Sequence, residues 1–314
     1  MKNIFKKIII ASSLLGLVFF YGCSEDDVLP IDVVVPNIDI SLSATTSDGT
    51  TLVDGGNVSA ADSFSIVISI TAEAGFNTLN TSGDVASSTI NRNDLDIASG
   101  TTNAEVTLTV STSNSLGDGS IDFEAVDEEG NTANASFSFV VVSPAAKIQT
   151  AVMLYAPLGD SSSQTFYSIA NNQTYSLGNV ISTSDPVSAS IDFGYYYGSS
   201  DNAALASPAE YTIYDLSAWG SQNATTLAVT TITSAEYLEM VTVSDIETAL
   251  AGVDVNDANG DGVGDGTVTN LSANDILMFK TVDNVQGLIH VSTITGTDGS
   301  DGMIELEMKL AASE

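Results

Sequence analysis

The residues best suited to chemistry in this sequence are oxygen-bearing side chains that alternate between positions 257 and 265. Asp257, Asn259 and Asp261 are separated by single residues, and Gly262 follows where a tight metal-binding loop needs a sharp turn. Such a loop directs carboxylate, amide and carbonyl oxygens to one point, which is the environment that Ca²⁺ prefers. The sequence therefore predicts a calcium site formed by the side chains of Asp257, Asn259, Asp261 and Asp265 and the main-chain carbonyl of Val263.

The end of this loop departs from the EF-hand pattern. The last ligand position is Val268, where an EF-hand carries a glutamate that binds Ca²⁺ through both oxygens. The stretch D-x-N-x-D-G-x-x-D thus resembles the isolated calcium loops of dockerin- or thrombospondin-type repeats, although dockerin loops also end in an acid. Asp254 or a residue elsewhere in the fold must complete the coordination shell, and we expect the metal to be structural. The alternative is a metal-free turn rich in Asp, Asn and Gly.

Aromatic side chains form the second candidate site. Every tyrosine after position 21 falls between Tyr155 and Tyr237, and the single tryptophan, Trp219, lies in the same stretch. Tyr196 has a tyrosine on each side in a predicted strand, so its side chain points to the opposite face from theirs. An exposed Tyr196 or Trp219 would offer a flat apolar ring with a polar edge, which suits stacking against a sugar. The alternative is that these aromatic residues fill the core.

The sequence offers little for catalysis. Its single histidine, His290, lies in a predicted strand without a neighbouring nucleophile, and no G-x-S-x-G motif occurs. One cysteine and one histidine are too few for a zinc site. A pair of carboxylates of the glycosidase kind stays open, but 40 acidic residues favour no particular pair. We therefore expect a non-catalytic protein, with a carboxylate-dependent hydrolase as the less favoured alternative.

The N-terminus predicts export and lipid attachment. Residues 1–22 combine lysines near the start with an apolar run from Ile8 to Phe20, which is the pattern of a signal peptide. Gly22 then precedes Cys23, the only cysteine. This junction resembles the cleavage site of bacterial lipoproteins, although the two residues before Gly22 depart from the usual ones. The resemblance implies acyl chains on Cys23 that anchor the mature chain to a membrane surface.

The residues after the cysteine indicate which membrane. Residues 24–27, Ser-Glu-Asp-Asp, resemble the acidic export tag of surface lipoproteins in gram-negative bacteria that forage glycans. The resemblance implies an outer-membrane protein that faces the cell exterior. The alternative is that residues 23–36 are a plain acidic tether, rich in Pro and Val towards its end.

The charge of the chain limits its partners. Three of the seven Lys and Arg residues lie in the signal, so the chain beyond residue 22 has four basic and 40 acidic side chains. Such a field repels nucleic acid and anionic lipid. We expect the partners to be the membrane, through the lipid, and a polysaccharide or an outer-membrane protein complex.

Alternating apolar residues predict a mainly β protein in two domains. In residues 37–143, runs such as 64–70 (FSIVISI) place an apolar residue at every second position, between turns rich in Gly and Asp. The last hairpin has Asp127 and a Gly130-Asn131 turn between an aromatic strand and a Phe/Val strand. This hairpin resembles bacterial immunoglobulin-like modules, and the resemblance implies a β-sandwich that acts as a spacer.

The second predicted domain, residues 144–314, is antiparallel and β-rich with one or two short helices. Helix starts are predicted from two capping boxes, Thr233 with Glu236 and Ser244 with Glu247, the second helix running over about 245–251. Three strands with a turn at Asp283-Asn284 are predicted at the end: Ile276–Val282, Val285–Ile294 and Met303–Leu310. The order of FYS, IDFGYYYG, LASP and these strands resembles a C-terminal domain of surface lipoproteins in the same bacteria, which implies no particular chemistry.

These features together predict a non-catalytic, calcium-stabilised outer-membrane lipoprotein. Its immunoglobulin-like spacer would present a Tyr-rich β domain to a glycan or to a protein partner. The first alternative is a structural or accessory subunit of an outer-membrane complex, or an adhesin, that uses the same surface for protein contacts.

Overall fold

The computed structural model describes residues 37–180, 187–253 and 265–311. Most of the regular structure in these ranges is strand, arranged in four sheets, which confirms the mainly β prediction. No helix within these ranges is long and apolar enough to cross a membrane. Residues 38–142 and residues 147–310 form separate pairs of sheets, which we name the N-terminal and the C-terminal sandwich.

The N-terminal sandwich has nine strands and a 3₁₀ turn at Arg92–Leu95. The strands are β1 (Ile38–Thr46), β2 (Thr51–Leu52), β3 (Gly56–Ser59), β4 (Ser63–Ala72), β5 (Phe76–Gly83), β6 (Ser88–Asn91), β7 (Asn103–Ser111), β8 (Gly117–Asp127) and β9 (Thr132–Val142). One sheet has the order β2-β1-β4-β7 and the other β3-β9-β8-β5-β6. This arrangement matches the immunoglobulin fold. Strands β1, β4 and β7 correspond to its strands A, B and E, and the facing strands β5, β8 and β9 correspond to C, F and G.

Period-two patterning explains the core of this sandwich. Every second residue of β4 from Phe64 to Ile70 is buried, at 2% exposure or less. The ring of Phe64 meets those of Phe137 and Phe139 from the opposite sheet, at centroid separations of 6.1 and 5.0 Å. The alternation read from the sequence thus forms one continuous apolar layer between two sheets.

The turn between β8 and β9 uses a buried acid. One oxygen of Asp127 accepts hydrogen bonds from the N–H groups of Glu129 (3.0 Å) and Asn131 (2.8 Å), and the other accepts from the Asn131 amide at 2.8 Å. Burial alone would raise the pKa of Asp127, but these hydrogen bonds outweigh it and hold the pKa below its ordinary value. The Asp127 side chain is therefore fully occupied by its own turn.

The C-terminal sandwich has ten strands in two five-stranded sheets. The strands are β10 (Lys147–Tyr155), β11 (Gln164–Ser168), β12 (Gln173–Ser176), β13 (Phe193–Gly198), β14 (Asn202–Ala206), β15 (Thr226–Val229), β16 (Thr267–Val268), β17 (Ile276–Lys280), β18 (Gln286–Thr295) and β19 (Met303–Leu310). The sheet orders are β10-β19-β18-β17-β15 and β12-β11-β13-β14-β16, with a shared core between them. The predicted meander is confirmed, since β17, β18 and β19 are antiparallel neighbours.

The described helices are short: α1 (Leu177–Val180), α2 (Ser234–Glu239) and α3 (Val243–Leu250), with a 3₁₀ turn at Ser188–Ser190. The capping box predicted for α2 is confirmed. The Thr233 hydroxyl accepts a hydrogen bond from the N–H of Glu236, and the Glu236 carboxylate accepts one from the N–H of Thr233 at 2.8 Å. This pair satisfies two of the N–H groups that a helix start leaves unbonded.

The start predicted for α3 at Ser244 and Glu247 is wrong. Helix α3 begins at Val243 and its N-cap is Thr242, whose N–H donates to the Asp245 carboxylate at 2.8 Å. Thr242 is held in an extended conformation because it forms a β-bridge with Ala145, and an N-cap residue requires that conformation. Glu247 is consequently free of the capping role that the sequence suggested.

Lys309 fixes α2 to the sheet. This residue on β19 is 4% exposed, and its ammonium donates to the main-chain carbonyls of Tyr237 (2.7 Å) and Met240 (2.9 Å). These carbonyls lie at the end of α2, where a helix carries partial negative charge. The ammonium also lies 4.4 Å from the centroid of the Tyr237 ring. Burial lowers the pKa of Lys309, and the paired carbonyls compensate for the buried charge.

Candidate functional site

The predicted lipid site and most of the predicted calcium loop lie outside the described residues. This applies to Cys23 and to residues 257–263, so both predictions stay predictions. Asp265 is the predicted ligand that the described part of the chain includes. Its main-chain carbonyl accepts a hydrogen bond from the N–H of Leu227 at 2.8 Å. The end of the predicted loop is therefore attached to the sandwich next to β15.

A distant acid meets the chain directly after Asp265. The carboxylate of Glu210 accepts hydrogen bonds from the N–H of Gly266 (3.2 Å) and from the Thr267 hydroxyl (3.0 Å). Glu210 is not predictable as a partner from the sequence, because its position depends on the pairing of β14 with β16, where Ala206 is opposite Thr267. That pairing joins parts of the chain about 60 residues apart, and no local pattern indicates it.

The predicted exposure of a sugar platform at Tyr196 and Trp219 is wrong. The two side chains are 5% and 7% exposed, so neither presents an open ring face to a ligand. Both belong to what we name the aromatic cluster, on the outer face of the sheet that contains β13. Its rings are Phe166, Tyr196, Tyr211, Tyr214 and Trp219. The alternative reading, that these aromatics fill a core, accounts for their burial.

Packing within the aromatic cluster explains this outcome. The Phe166 ring contacts Trp219 edge-on at a centroid distance of 4.9 Å and Tyr211 at 5.0 Å. The Tyr211 hydroxyl donates to the carbonyl of Tyr195 at 3.0 Å, which fastens the 207–225 segment over the sheet. A Cβ on Gly194 would lie 2.7 Å from the Phe166 ring, so only glycine permits this close approach.

A polar groove elsewhere in the C-terminal sandwich is the candidate site. Its volume is about 540 Å³, and it lies between the end of α3, the turn from β17 to β18, and the end of β19. Helix α3 and the end of β19 contribute Leu250, Ala251 and Ala311 as apolar lining. The polar lining consists of Glu247, Lys280, Asp283, Asn284 and Gln286. We refer to these eight residues as the groove.

Hydrogen bonds within the turn stabilise the backbone that carries Asp283 and Asn284. The N–H of Asn284 donates to the Thr281 carbonyl at 3.1 Å, and the N–H of Val285 donates to the Thr281 hydroxyl at 3.1 Å. Asn284 takes a φ of 62°, a left-handed conformation that asparagine tolerates better than most residues. The predicted turn is thus confirmed, and its backbone leaves both side chains exposed.

The polar side chains of the groove have no partners within the described part of the chain. No hydrogen bond or ion pair joins the side chain of Glu247, Lys280 or Asp283 to a described side chain or main-chain group. The same holds for the side-chain amides of Asn284 and Gln286. Carboxylates accept, ammonium donates and amides do both, so the groove offers both kinds of hydrogen-bonding group to a ligand.

Other exposed acids of the chain are occupied by their own turns. Neighbouring hydroxyl and N–H groups hold the pKa values of Asp48, Asp160, Asp215 and Asp245 below their ordinary value. In each case the first cause is a hydrogen bond from a residue within three positions along the chain. Glu247 and Asp283 differ from these acids because their carboxylates have no such local partner.

A buried acid lies within electrostatic range of the groove. Asp192 is 6% exposed, and its carboxylate accepts a hydrogen bond from the N–H of Ile169 at 2.7 Å. Burial raises the pKa of Asp192 to about 6, and the negative charge of Asp283 contributes to the increase. The two acids differ in that Asp192 is enclosed by protein, whereas Asp283 faces solvent.

An apolar hollow adjoins the groove. It has a volume of about 320 Å³, and its lining includes Pro144, Val243, Val285 and Leu310. Ala311 lines both cavities, so an elongated ligand could contact polar and apolar walls together. Neither cavity was predicted from the sequence, because the walls of both come from segments that are distant along the chain.

The single histidine has a hydroxyl neighbour that the sequence did not indicate. The Nε2 atom of His290 lies 3.4 Å from the Ser234 hydroxyl, and its ring lies 5.2 Å from that of Tyr237. The Ser234 hydroxyl makes its shorter contact with the carbonyl of Asn274, to which it donates at 3.1 Å. Since a hydroxyl has one proton, this geometry directs it away from the imidazole.

Comparisons with known proteins add little. No family model and no curated protein matches the chain. Among solved structures, the chain is similar to a DUF4466 family protein from Parabacteroides merdae, with 8% sequence identity and a TM-score of 0.37. The alignment covers 86% of this chain and 98% of that one. A likeness at this level carries no argument about fold or function.

Proposed function

We propose that this chain is a non-catalytic lipoprotein of the outer membrane that binds a glycan in the groove. The observation that carries the proposal is the set of five polar side chains lining the groove without partners among the described residues. Sugar hydroxyls both donate and accept hydrogen bonds, so a wall that combines carboxylates, amides and an ammonium matches them. A volume of about 540 Å³ lies in the range of ligand-binding clefts.

The other parts of the proposal rest on the sequence. Lipid on Cys23 would hold the protein at the membrane, and the acidic residues that follow support a position facing the cell exterior. The N-terminal sandwich would act as a spacer between the anchor and the groove. Ca²⁺ bound by Asp257, Asn259, Asp261, Asp265 and the Val263 carbonyl would stabilise the segment between α3 and β16.

Affinity electrophoresis through gels that contain single polysaccharides tests the glycan part. We expect retardation on at least one polysaccharide, and loss of retardation when Asp283 and Asn284 are both replaced by glycine. The matched control is Asp298→Gly with Asn270→Gly, since these exposed residues lie outside the groove. A chain that migrates freely through every gel would refute glycan binding.

Thermal unfolding tests the calcium part. At low ionic strength we expect a melting temperature several degrees higher in millimolar Ca²⁺ than in chelator, because binding to the folded state alone stabilises it. The double variant Asp257→Asn with Asp261→Asn should lose this difference. Equal melting temperatures for the wild-type chain in both buffers would refute the site.

A protein partner is the second candidate function, and one observation favours it. Leu238, Val241 and Ile148 are exposed aliphatic side chains, at 64%, 63% and 51% exposure. Ala146 donates its N–H to the carbonyl of Val241, so the start of β10 and the end of α2 lie side by side there. Crosslinking in intact cells, with Leu238→Ser and Val241→Ser as a variant, distinguishes this function from glycan binding.

A further inference from the structure

We propose that the groove is selective for charge: it binds neutral polyhydroxylated glycans in preference to glycans that carry carboxylate groups. This inference rests on the proposed function, since it names the class of glycan for the same site. The signs and positions of the groove's own side chains support it, together with the end of helix α3.

Two carboxylates dominate the groove. Glu247 and Asp283 are exposed, and neither has an ion-pair partner within the described part of the chain. An ionised carboxylate only accepts hydrogen bonds, so each of these acids requires donors from the ligand. Two neighbouring hydroxyls of a neutral sugar can donate to the two oxygens of one carboxylate. A sugar acid would instead bring a second negative charge to the same point.

The end of α3 adds further negative potential. Leu250 and Ala251, which line the groove, are the last residue and the C-cap of this helix. The last carbonyls of a helix lack partners within the helix and carry partial negative charge. This end of α3 has no basic residue in its last turn to offset that charge. An anionic ligand group near Ala251 would therefore be repelled by the helix as well as by the acids.

Lys280 supplies the single cationic group among the eight residues of the groove. Its side chain is half-buried, and no described carboxylate lies within 4.0 Å of its ammonium. An ammonium donates without accepting, so it can bond the ring oxygen or a hydroxyl oxygen of a neutral sugar. One positive charge against two carboxylates and a helix C-terminus leaves the groove negative. The chain as a whole, at a net charge of −33, increases this potential.

The apolar lining suits the remaining surface of a sugar ring. Leu250 and Ala311 are 8% and 6% exposed and form part of the groove wall, and Leu310 and Val285 line the adjoining hollow. The C–H groups of a pyranose can pack on such side chains without an aromatic platform. The neighbouring volumes of about 540 and 320 Å³ favour more than one sugar unit.

The test uses matched pairs of glycans and the full mature chain. Soluble glucan, mannan and galactan are compared with the same polymers after oxidation of their primary alcohols to carboxylates, and polygalacturonate is added as a natural acid. We expect at least one neutral polymer to bind, and its oxidised form to bind about tenfold more weakly at low salt. Asp283→Asn should reduce that difference in affinity, whereas Glu105→Gln, an equal change of charge at an exposed position of β7, should leave it unchanged.

The outcomes distinguish a failure of charge selectivity from a failure of glycan binding itself. Equal or tighter binding of an oxidised polymer, or binding of polygalacturonate alone, would overturn the charge selectivity and leave glycan binding in place. Loss of that acidic binding in Lys280→Gln would then identify the ammonium as an anion site. If no polymer of either kind binds, the proposed function fails and the inference fails with it.

Discussion

The aromatic cluster and the groove lie in the same sandwich but differ in how far their side chains are exposed to solvent. In the cluster, Tyr211 is buried and its hydroxyl is bonded to the main chain at Tyr195. In the groove, Asp283 is exposed and Lys280 half-buried, and neither side chain is bonded to any described group. Residue type suggested that the rings of Tyr196 and Trp219 could bind a sugar, and it did not indicate the groove. The packing contacts place both rings in a core.

This contrast shows which property separates a structural group from a group available for binding. A ring that could stack on sugar is equally suited to fill a core, and its chemistry does not distinguish the two. An exposed polar side chain without a partner in the described protein is hydrated, and a ligand can replace that water. Partners, more than residue types, therefore identify the candidate site.

The largest effect is expected from Trp219→Ala, which tests whether the aromatic cluster is structural. Its ring is 7% exposed and packs on Phe166, so the substitution should lower the free energy of unfolding by about 3–5 kcal/mol and the melting temperature by roughly 10 °C. Trp219→Phe is the matched control. It should cost less, about 1–2 kcal/mol, because the indole N–H has no partner among the described residues. An unchanged melting temperature with lost glycan retardation would return Trp219 to a binding role.

The next largest effect is expected from Asp192→Asn, and it depends on pH. The folded state raises the pKa of Asp192 from 3.8 to about 6, so the folded state holds the proton more tightly than the unfolded state. The protonated form of Asp192 therefore contributes to the free energy of unfolding. This contribution is complete below about pH 4 and is lost as the pH rises through about 6. The amide introduced by the substitution carries no charge to desolvate. Relative to the wild-type chain, the free energy of unfolding of the variant should therefore rise by about 1–3 kcal/mol at pH 8 and by little at pH 4.

Urea unfolding at the two pH values measures this difference. Asp298→Asn is the control, because its side chain is exposed and lies outside the groove. If Asp192→Asn gives the same change at pH 4 and pH 8, Asp192 does not carry a buried charge.

Sequence reasoning succeeded where the chain repeats a local rule. The alternation of residues 64–70 and the Thr233–Glu236 capping box each follow from neighbours within a few positions. The fold class and the final meander followed from the same local patterns. Cys23 and the calcium loop are also local patterns, and they stay predictions.

Reasoning from sequence failed where distant segments decide. Tyr196 is buried because the 207–225 segment crosses it, and nothing near Tyr196 indicates that crossing. The start of α3 was misplaced because the bridge from Ala145 to Thr242 selects the earlier of two capping boxes. The groove escaped notice for the same reason, since Glu247, Asp283 and Ala311 meet only in the folded chain.

A smaller effect on stability is expected at the start of α3, the helix that forms one wall of the groove. Thr242→Ala should destabilise the protein by about 1 kcal/mol, because it removes the N-cap hydroxyl of α3. Ser244→Ala is the matched control and should be close to neutral, since the Ser244 hydroxyl has no part in the cap. Guanidinium unfolding of both variants decides between the two starts. A larger loss from Ser244→Ala would restore the start predicted from the sequence.

The smallest expected effect on stability belongs to the groove itself. Asp283→Asn and Glu247→Gln remove charges that no described cation pairs, so each should change the free energy of unfolding by less than about 0.5 kcal/mol. Calorimetry of these two variants and of Trp219→Ala compares how much the groove and the aromatic cluster contribute to stability. A loss above about 1 kcal/mol in either variant would mean that these acids support the fold, and the contrast with the aromatic cluster would disappear. If stability holds while glycan retardation falls, the groove side chains are retained for a ligand, because the folded protein gains nothing from them.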